Sequence, residues 1–351
     1  MWSCALFAPV TGVPRETFAP KSSSFRRTIV GTGSGTHGVD LRDFGWGAAE
    51  VRGLLDPNVS FVAQMWDDIP VYAGFIEKAV YERGSGVLSV TSKEIRGLFK
   101  WRQTYGVANR LEGDLTITDR SASGAVRAVL HRATAQWAGA GWPLPIDLPA
   151  DGAGSISFRW RYFQDLTIED CLKQIEDLGY EIDFHPYIAG DGSLRFQVTV
   201  AAKIELGSVD VPVTADDSPV SSLTVTRDGA NQVTGVLVAG NGTEADMLVG
   251  SAGFMDGSFI PFRDVMITAK DLTSVSHLDA AGLAYLVEHR EPVEQWSVTV
   301  NARELPPSSL RPGTVLNLGM AGDPYVPDGS YPKRVVALAG DLSDTITPEV
   351  Q

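Results

Sequence analysis

The chain has 351 residues, 44% of them apolar and 21% charged, with a formal net charge of −14 and two cysteines. That composition excludes a largely disordered chain, and the length exceeds one ordinary core, which implies several domains. The acidic balance excludes sequence-independent grip on nucleic acid and docking on anionic lipid, since both need a basic face.

No run reaches the ~18 apolar residues of a membrane-spanning helix. The apolar start, residues 1–10, lacks the basic segment of a signal peptide, so folding in a reducing cytoplasm is expected. Cys4 falls in an N-terminus expected to be loose, and Cys171 on the apolar side of a helix, so no disulfide framework is read. Arg26-Arg27, the tight basic pair near the N-terminus, is expected on a solvated edge strand.

The first hundred residues read as strands and turns. The Gly-rich piece 31–38 predicts a mobile loop. A turn at Leu54-Leu55-Asp56-Pro57-Asn58 leads into an apolar run over 59–66. A strand over 71–81 passes through the hairpin signal Glu82-Arg83-Gly84-Ser85-Gly86 into a second strand over 87–91.

From about residue 119 the period changes. Val126, Val129, Leu130, Ala133 and Trp137 recur at helical spacing, and a Pro/Gly-rich connection over 141–154 precedes a strand over 155–162. Thr167-Ile168-Glu169-Asp170 predicts a capped helix start, with Ile168, Cys171, Leu172, Ile175 and Leu178 as the buried stripe and Gly179 as the stop. That helix should pack on a hairpin of 180–184 and 194–200, turned at Ala189-Gly190-Asp191-Gly192. Strands resume at 221–226 and 232–238. A helix over 275–289 with Leu278, Ala281, Tyr285 and Leu286 inward lies in an apparent insertion, 241–291. Strands over 295–301, 314–318 and 333–339 and one near Thr345 complete the chain.

Two stretches resemble each other. Leu55-Asp56-Pro57-Asn58 and Leu310-Arg311-Pro312-Gly313 each open a strand, and each is followed after a second proline, Pro70 or Pro332, by another strand. A duplicated β-domain, with one copy towards each end of the chain, is expected.

Catalytic patterns are wanting, and no catalytic, metal or cofactor-binding residue is assigned. His37, His131, His185, His277 and His289 are scattered without metal-ligand spacing and are expected at the surface or in turns. The Gly-rich piece lacks the Lys-Ser/Thr ending of a phosphate-cradling loop. Asp67-Asp68 and Asp216-Asp217 are expected to be solvated turn acids, because neighbours in a strand point to opposite faces and make no dyad. Asp323 and Asp328 flank a turn without EF-hand spacing and could hold calcium only weakly.

Tyr72-Ala73-Gly74-Phe75-Ile76, the strand over 87–91 and Ile95-Arg96-Gly97-Leu98 resemble the tail hub proteins of long-tailed bacteriophages. The likeness continues through the capped helix from Thr167, the hairpin 180–200, the segment 227–240 with Asn231-Gln232-Val233, and the ending from Leu310 to Asp341. It is weakest over the insertion and the Gly-rich start.

The resemblance implies a multi-domain, β-rich fold with two tube-like β-barrel domains, an intervening α+β domain and a small insertion. The expected boundaries are 1–107 for the first tube-like domain and 108–205 for the α+β domain. The second tube-like domain would be discontinuous, 206–240 with 295–351, around an inserted domain at 241–294. The resemblance further implies a non-enzymatic virion protein without cofactors, a homotrimeric ring at the tail tip, made in the host cytoplasm. Distal tail, tail tube and tip or fibre proteins would be its partners, with genomic DNA passing through unbound and no membrane insertion. Two other classes stay open: a receptor- or glycan-binding tail protein using Trp137, Trp142, Trp160 or Trp296, and a tail-associated cell-wall hydrolase.

Overall fold

Alternation of inward and outward side chains along the strands dictates most of the architecture. In Ser22–Thr28 every second side chain is buried, at Ser23, Phe25 and Arg27, and Val87–Glu94 repeats the pattern at Leu88, Val90, Ser92 and Glu94. A computed structural model of the chain describes residues 1–29, 31–104, 113–135, 143–243, 246–253 and 262–351. They form two compact units, Met1–Ser222 with Val298–Gln351, and Leu223–Ser297.

The larger unit begins with β1 (Trp2–Phe7), β2 (Pro14–Phe18), β3 (Ser22–Thr28), β4 (Ser34–Asp40), helix α1 (Ala48–Leu55), β5 (Phe61–Trp66), β6 (Ile69–Glu82) and β7 (Val87–Glu94). A 3₁₀ turn, Ile95–Trp101, follows. The middle block contains β8 (Leu115–Arg120), α2 (Ala122–Thr134), β9 (Ile146–Asp147), β10 (Ile156–Trp160), α3 (Ile168–Glu176), β11 (Glu181–Ile188) and β12 (Leu194–Ala201). Then come β13 (Ser208–Pro212) and β14 (Val220–Asp228). The smaller unit holds β15 (Gly235–Ala239), β16 (Val249–Gly253), β17 (Asp264–Thr268) and α4 (Val275–His289). The chain ends with β18 (Val293–Asn301), β19 (Val315–Met320), β20 (Gly329–Asp341) and β21 (Thr345–Val350). The division between units falls inside β14 and β18.

The main sheet runs β2-β1-β5-β6-β7-β4-β3-β20-β21, with β19 and then β13 branching from β20. One face, with Ala5, Phe7, Phe61, Ala63 and Phe75, shares a continuous core with α2, α3, β11 and β12. The opposite face, with Cys4, Leu6, Val62, Ile76 and Val90, packs under Leu55 and Val51 of α1. Strand β5 is buried on both faces, which explains why all its residues but Gln64 are apolar. Cys4 is therefore fully buried in a strand, not in a loose terminus.

The Gly-rich piece is also more ordered than expected, because its second half is β4. A Cβ on Gly35 would lie 2.8 Å from both His37 Nε2 and Tyr72 Cε1, and one on Gly38 would meet Ser22 Oγ at 2.4 Å. These glycines admit close neighbours; they do not loosen the chain.

In the middle block Thr167 caps α3 as expected. Its Oγ1 accepts from Asp170 N–H at 3.1 Å, and Asp170 Oδ2 accepts from Thr167 N–H at 2.8 Å. Cys171 is buried on the inner face, whereas Leu178 lies beyond the helix end and is 54% exposed. Helix α2, not α3, lies against β12; α3 packs on α2 and on the 3₁₀ turn. Trp137, expected on α2, lies outside the described residues, as does Trp142.

The sequence repeat recurs in the backbone. Asn58 and Gly313 both take left-handed φ, 65° and 103°, and each donates its N–H at 2.7 Å to the next long strand, at Ile76 O and Val335 O. Both long strands change partner midway. β6 pairs first with β5 and then with β7, with a bulge after Ile76; β20 pairs first with β19 and then with β21, with a bulge after Val335. Thus β5-β6-β7 recurs as β19-β20-β21. The copies differ at one flank, since β1 is antiparallel to β5 but β13 is parallel to β19. No sheet among the described residues closes into a barrel.

In the smaller unit β15 is the central strand between antiparallel β16 and parallel β17, and α4 buries Leu278, Gly282 and Leu286. Ala281 and Tyr285 are half-buried beside them.

Candidate functional site

Two groups of polar side chains lie inside the larger unit, and both contain a histidine expected at the surface. The first surrounds His37 between β3, β4, β5, β6 and β7. Ser23 Oγ donates to Gln64 Oε1 at 2.7 Å, so it must accept from His37 Nδ1, also at 2.7 Å. That assigns the proton to Nδ1 and leaves Nε2 to accept from Ser92 Oγ at 3.2 Å. Ser92 Oγ in turn accepts from Tyr72 OH at 2.9 Å. Gln64 Nε2 donates to Asp341 O at 3.0 Å. Burial holds the imidazole neutral, its pKa pushed down to about 4.

A serine hydroxyl beside a histidine nitrogen has the contacts of an activated nucleophile. Here, though, Ser23, His37, Gln64, Tyr72 and Ser92 are all buried, and no carboxylate orients the ring. No substrate reaches them. What a satisfied neutral network can do in a sheet core is fix strand register, because a one-residue slip would orphan every member.

The second group ties the sheet to the middle block through three arginines. Arg27, on the inward-facing phase of β3, donates from Nη2 to both carboxylate oxygens of Asp183 at 2.8 Å and from Nη1 to His185 Nδ1 at 2.9 Å. Its Nε lies 3.8 Å from Glu94 Oε1. Arg96 reaches Glu169 and Glu176 of α3, with Nη2 at 3.0 and 2.6 Å from their carboxylates. Arg334 of β20 meets Glu181 of β11 at 2.6 and 2.7 Å. Arg27 is thus no solvated edge residue: β3 lies between β4 and β20, and the residue is 1% exposed.

Burial raises the Glu94 carboxyl to about 7, opposed by the nearby Arg27 charge and by Gly33 N–H, which donates to it. His185 is pushed down to about 2, by burial first and then by the Arg27 and Arg311 charges. Arg27 therefore donates to a neutral ring.

The remaining flagged residues have local duties. Asp67 and Asp68 form the two-residue turn between β5 and β6, both at positive φ, and they are turn acids as expected. Asp216 and Asp217 are exposed between β13 and β14. Asp323 Oδ1 accepts from Tyr325 and Val326 N–H, and Asp328 Oδ1 accepts from Gly322 N–H; both acids hold their own loop. No cluster of three or more metal-ligating side chains occurs among the described residues. His131 and His277 are exposed, and His289 stacks on Tyr285 at 4.0 Å. Trp160 and Trp296 are core residues, so neither lines a glycan platform. No described helix is long and apolar enough to cross a membrane.

No family model matches the sequence, and no curated protein matches it. Solved structures do match. The 43 kDa tail protein of prophage MuSo2 from Shewanella oneidensis superposes with a TM-score of 0.61 at 9% identity, covering 99% of this chain and 98% of that one. A tail protein from Neisseria meningitidis gives 0.56 at 13% identity, over 100% and 96%. An Escherichia coli component of the type VI secretion system, described as similar to bacteriophage T4 tail proteins gp27 and gp5, gives 0.50 at 10% identity, over 94% and 72%. The chain has the fold of the Shewanella and Neisseria tail proteins over almost its full length.

Proposed function

We propose that the chain is a non-enzymatic virion protein forming the hub ring at a bacteriophage tail tip. It joins the tail tube to tip or fibre proteins around the DNA exit channel. In this reading residues 1–107, and 206–240 with 295–351, are the two tube-like domains. Residues 108–205 are the α+β domain between them and 241–294 the insertion.

The internal duplication carries the reading. Matching the bulges sets Ile76 against Val335, and the sheet order sets β4 and β3 of the first copy against β18 and β14 of the second. Within the chain, β3 pairs with the outer half of β20, over Ala337 to Asp341. The matching edge of β6, residues 78–82, pairs only with β7 among the described residues, and β14 pairs only with β18. Val80 and Tyr81 on that stretch are 49% and 55% exposed.

Pairing β14 of one copy with this edge of β6 in the next would repeat between chains the join that β3 makes within one. A head-to-tail contact of this kind whose rotation closes gives a ring and covers edges that otherwise invite aggregation. Three chains with two repeats each supply six similar units, and neighbours would close the sheets that the described residues of one chain leave open. A stable contact should bury more than roughly 1,000 Å² in total. The net charge of −14 suits a channel that DNA crosses without being gripped.

Labelling the protein and imaging intact virions tests the reading. A hollow three-fold ring at the tail tip is expected. Signal on the capsid, or along the whole tail, overturns it.

A further inference from the structure

Beside α2 the sign of the surface reverses. A groove of about 320 Å³ runs along the helix over Leu115, and its rim carries Arg120, Arg127, His131 and Arg132 against one carboxylate, Asp151. Three arginines to one acid is the opposite of the whole chain, where 43 acids face 29 lysines and arginines. Such a concentration raises the local density of anions.

The helix makes the arrangement. Arg127 and His131 are four residues apart and share one face, with Ala128 beside them, while Val126, Val129 and Leu130 turn into the core. Arg120 is spoken for by Asp151, with Nη1 and Oδ2 2.9 Å apart. Arg127 donates from Nη1 to Pro149 O at 2.9 Å, one of the five donors a guanidinium carries. Arg132 donates to Gly113 O at 3.0 Å and Asp114 O at 3.3 Å. His131 is exposed.

We propose that this groove docks an acidic segment of another protein, holding a Glu or Asp carboxylate between Arg127 and His131 with its methylenes on Leu115 and Ala128. A guanidinium fork and an imidazole N–H match a carboxylate, and the apolar floor matches the stem that carries it. The groove is at the lower limit of ligand-pocket size and takes two or three residues. A nucleic-acid backbone would need a continuous basic track, and one short groove on a strongly acidic chain does not provide it. The inference is independent of the hub reading.

Fluorescence anisotropy with labelled hexaglutamate on the full chain is the test. Saturable binding is expected, weakened severalfold when sodium chloride rises from about 50 to about 300 mM. Arg127→Glu and His131→Glu should each weaken it about tenfold, the loss of one charge-assisted contact. Arg83→Glu, in the exposed turn after β6, changes the net charge as much as Arg127→Glu does and should leave binding unchanged. Thermal melts of each variant confirm folding, and the exposed His131 position secures the test if Arg127→Glu unfolds. Absent binding, unaffected groove variants, or an equal loss in Arg83→Glu overturns the proposal. So does tighter, Arg127-dependent binding of a six-nucleotide oligothymidylate, which would make the groove a nucleic-acid site.

Discussion

Arg27 and Asp183 lie 156 residues apart and meet as an ion pair in which Nη2 donates to both carboxylate oxygens, both side chains 2% exposed. The pair fastens β3 to β11. Removing one partner from such a pair strands a buried charge, which typically costs about 3–5 kcal/mol. Asp183→Ala should therefore lower the unfolding free energy of the larger unit by that amount, read as a fall in its urea midpoint. An unchanged midpoint would mean that the pair does not hold the sheet to the middle block.

Glu94 gives the same seam a pH dependence with a definite sign. Its carboxyl titrates near 7 in the folded chain against an ordinary 4.5, so between those values the folded state binds more protons than the unfolded one. The stability it contributes is complete below about 4.5 and is lost as pH rises through 7. Glu94→Gln should be increasingly more stable than the parent from pH 5 to 8, by up to about 3 kcal/mol at the top. Denaturant titrations across that range would show a constant difference if Glu94 titrates normally.

The cap of α3 offers a smaller effect. Thr167→Ala removes the acceptor of Asp170 N–H and should cost about 1 kcal/mol. Equal stability of the two proteins would remove Thr167 from the capping role.

His37 can be read directly. Nitrogen NMR should show a neutral ring protonated at Nδ1, unchanged as pH falls to about 5 and titrating near 4. Because the unfolded chain takes up that proton near 6.5, His37 makes folding less favourable as pH drops from 6.5 to 4. An Nε2 proton would contradict the hydrogen-bond chain through Ser23 and Ser92.

Much of the fold was legible in the sequence where one signal decides locally. The cap at Thr167, the stop at Gly179 (φ 91°), the helix at 275–289 and the Leu-x-Pro repeat all lie where local chemistry places them. What failed depended on neighbours distant in sequence. Nothing next to Arg27 announces Asp183, although strand alternation already puts Arg27 on the face of Ser23 and Phe25. Local sequence places His37 at the surface and Cys4 in a loose terminus because their neighbours, Ser23 and Ser92 around His37 and His37 beside Cys4, arrive from other strands. The glycines of β4 signal looseness when counted and close packing when placed. The basic groove was invisible for another reason: Arg120, Arg127, His131 and Arg132 are spread over β8 and α2, and only a folded helix gathers them.

The partner of β3 sets a constraint on how the protein is made. Thr28 Oγ1 and Val336 O, 308 residues apart, are neighbours across the β3–β20 join. A ribosome therefore delivers β3 long before the strand that covers it, and every nascent chain carries that edge open through most of its synthesis. Strands β1 to β7 can pair among themselves, but the sheet stays half-hemmed until β20 emerges. The interval is one of exposure to other chains, longest where translation is slow. Strand completion, not local helix formation, is then the step on which the yield of native protein depends.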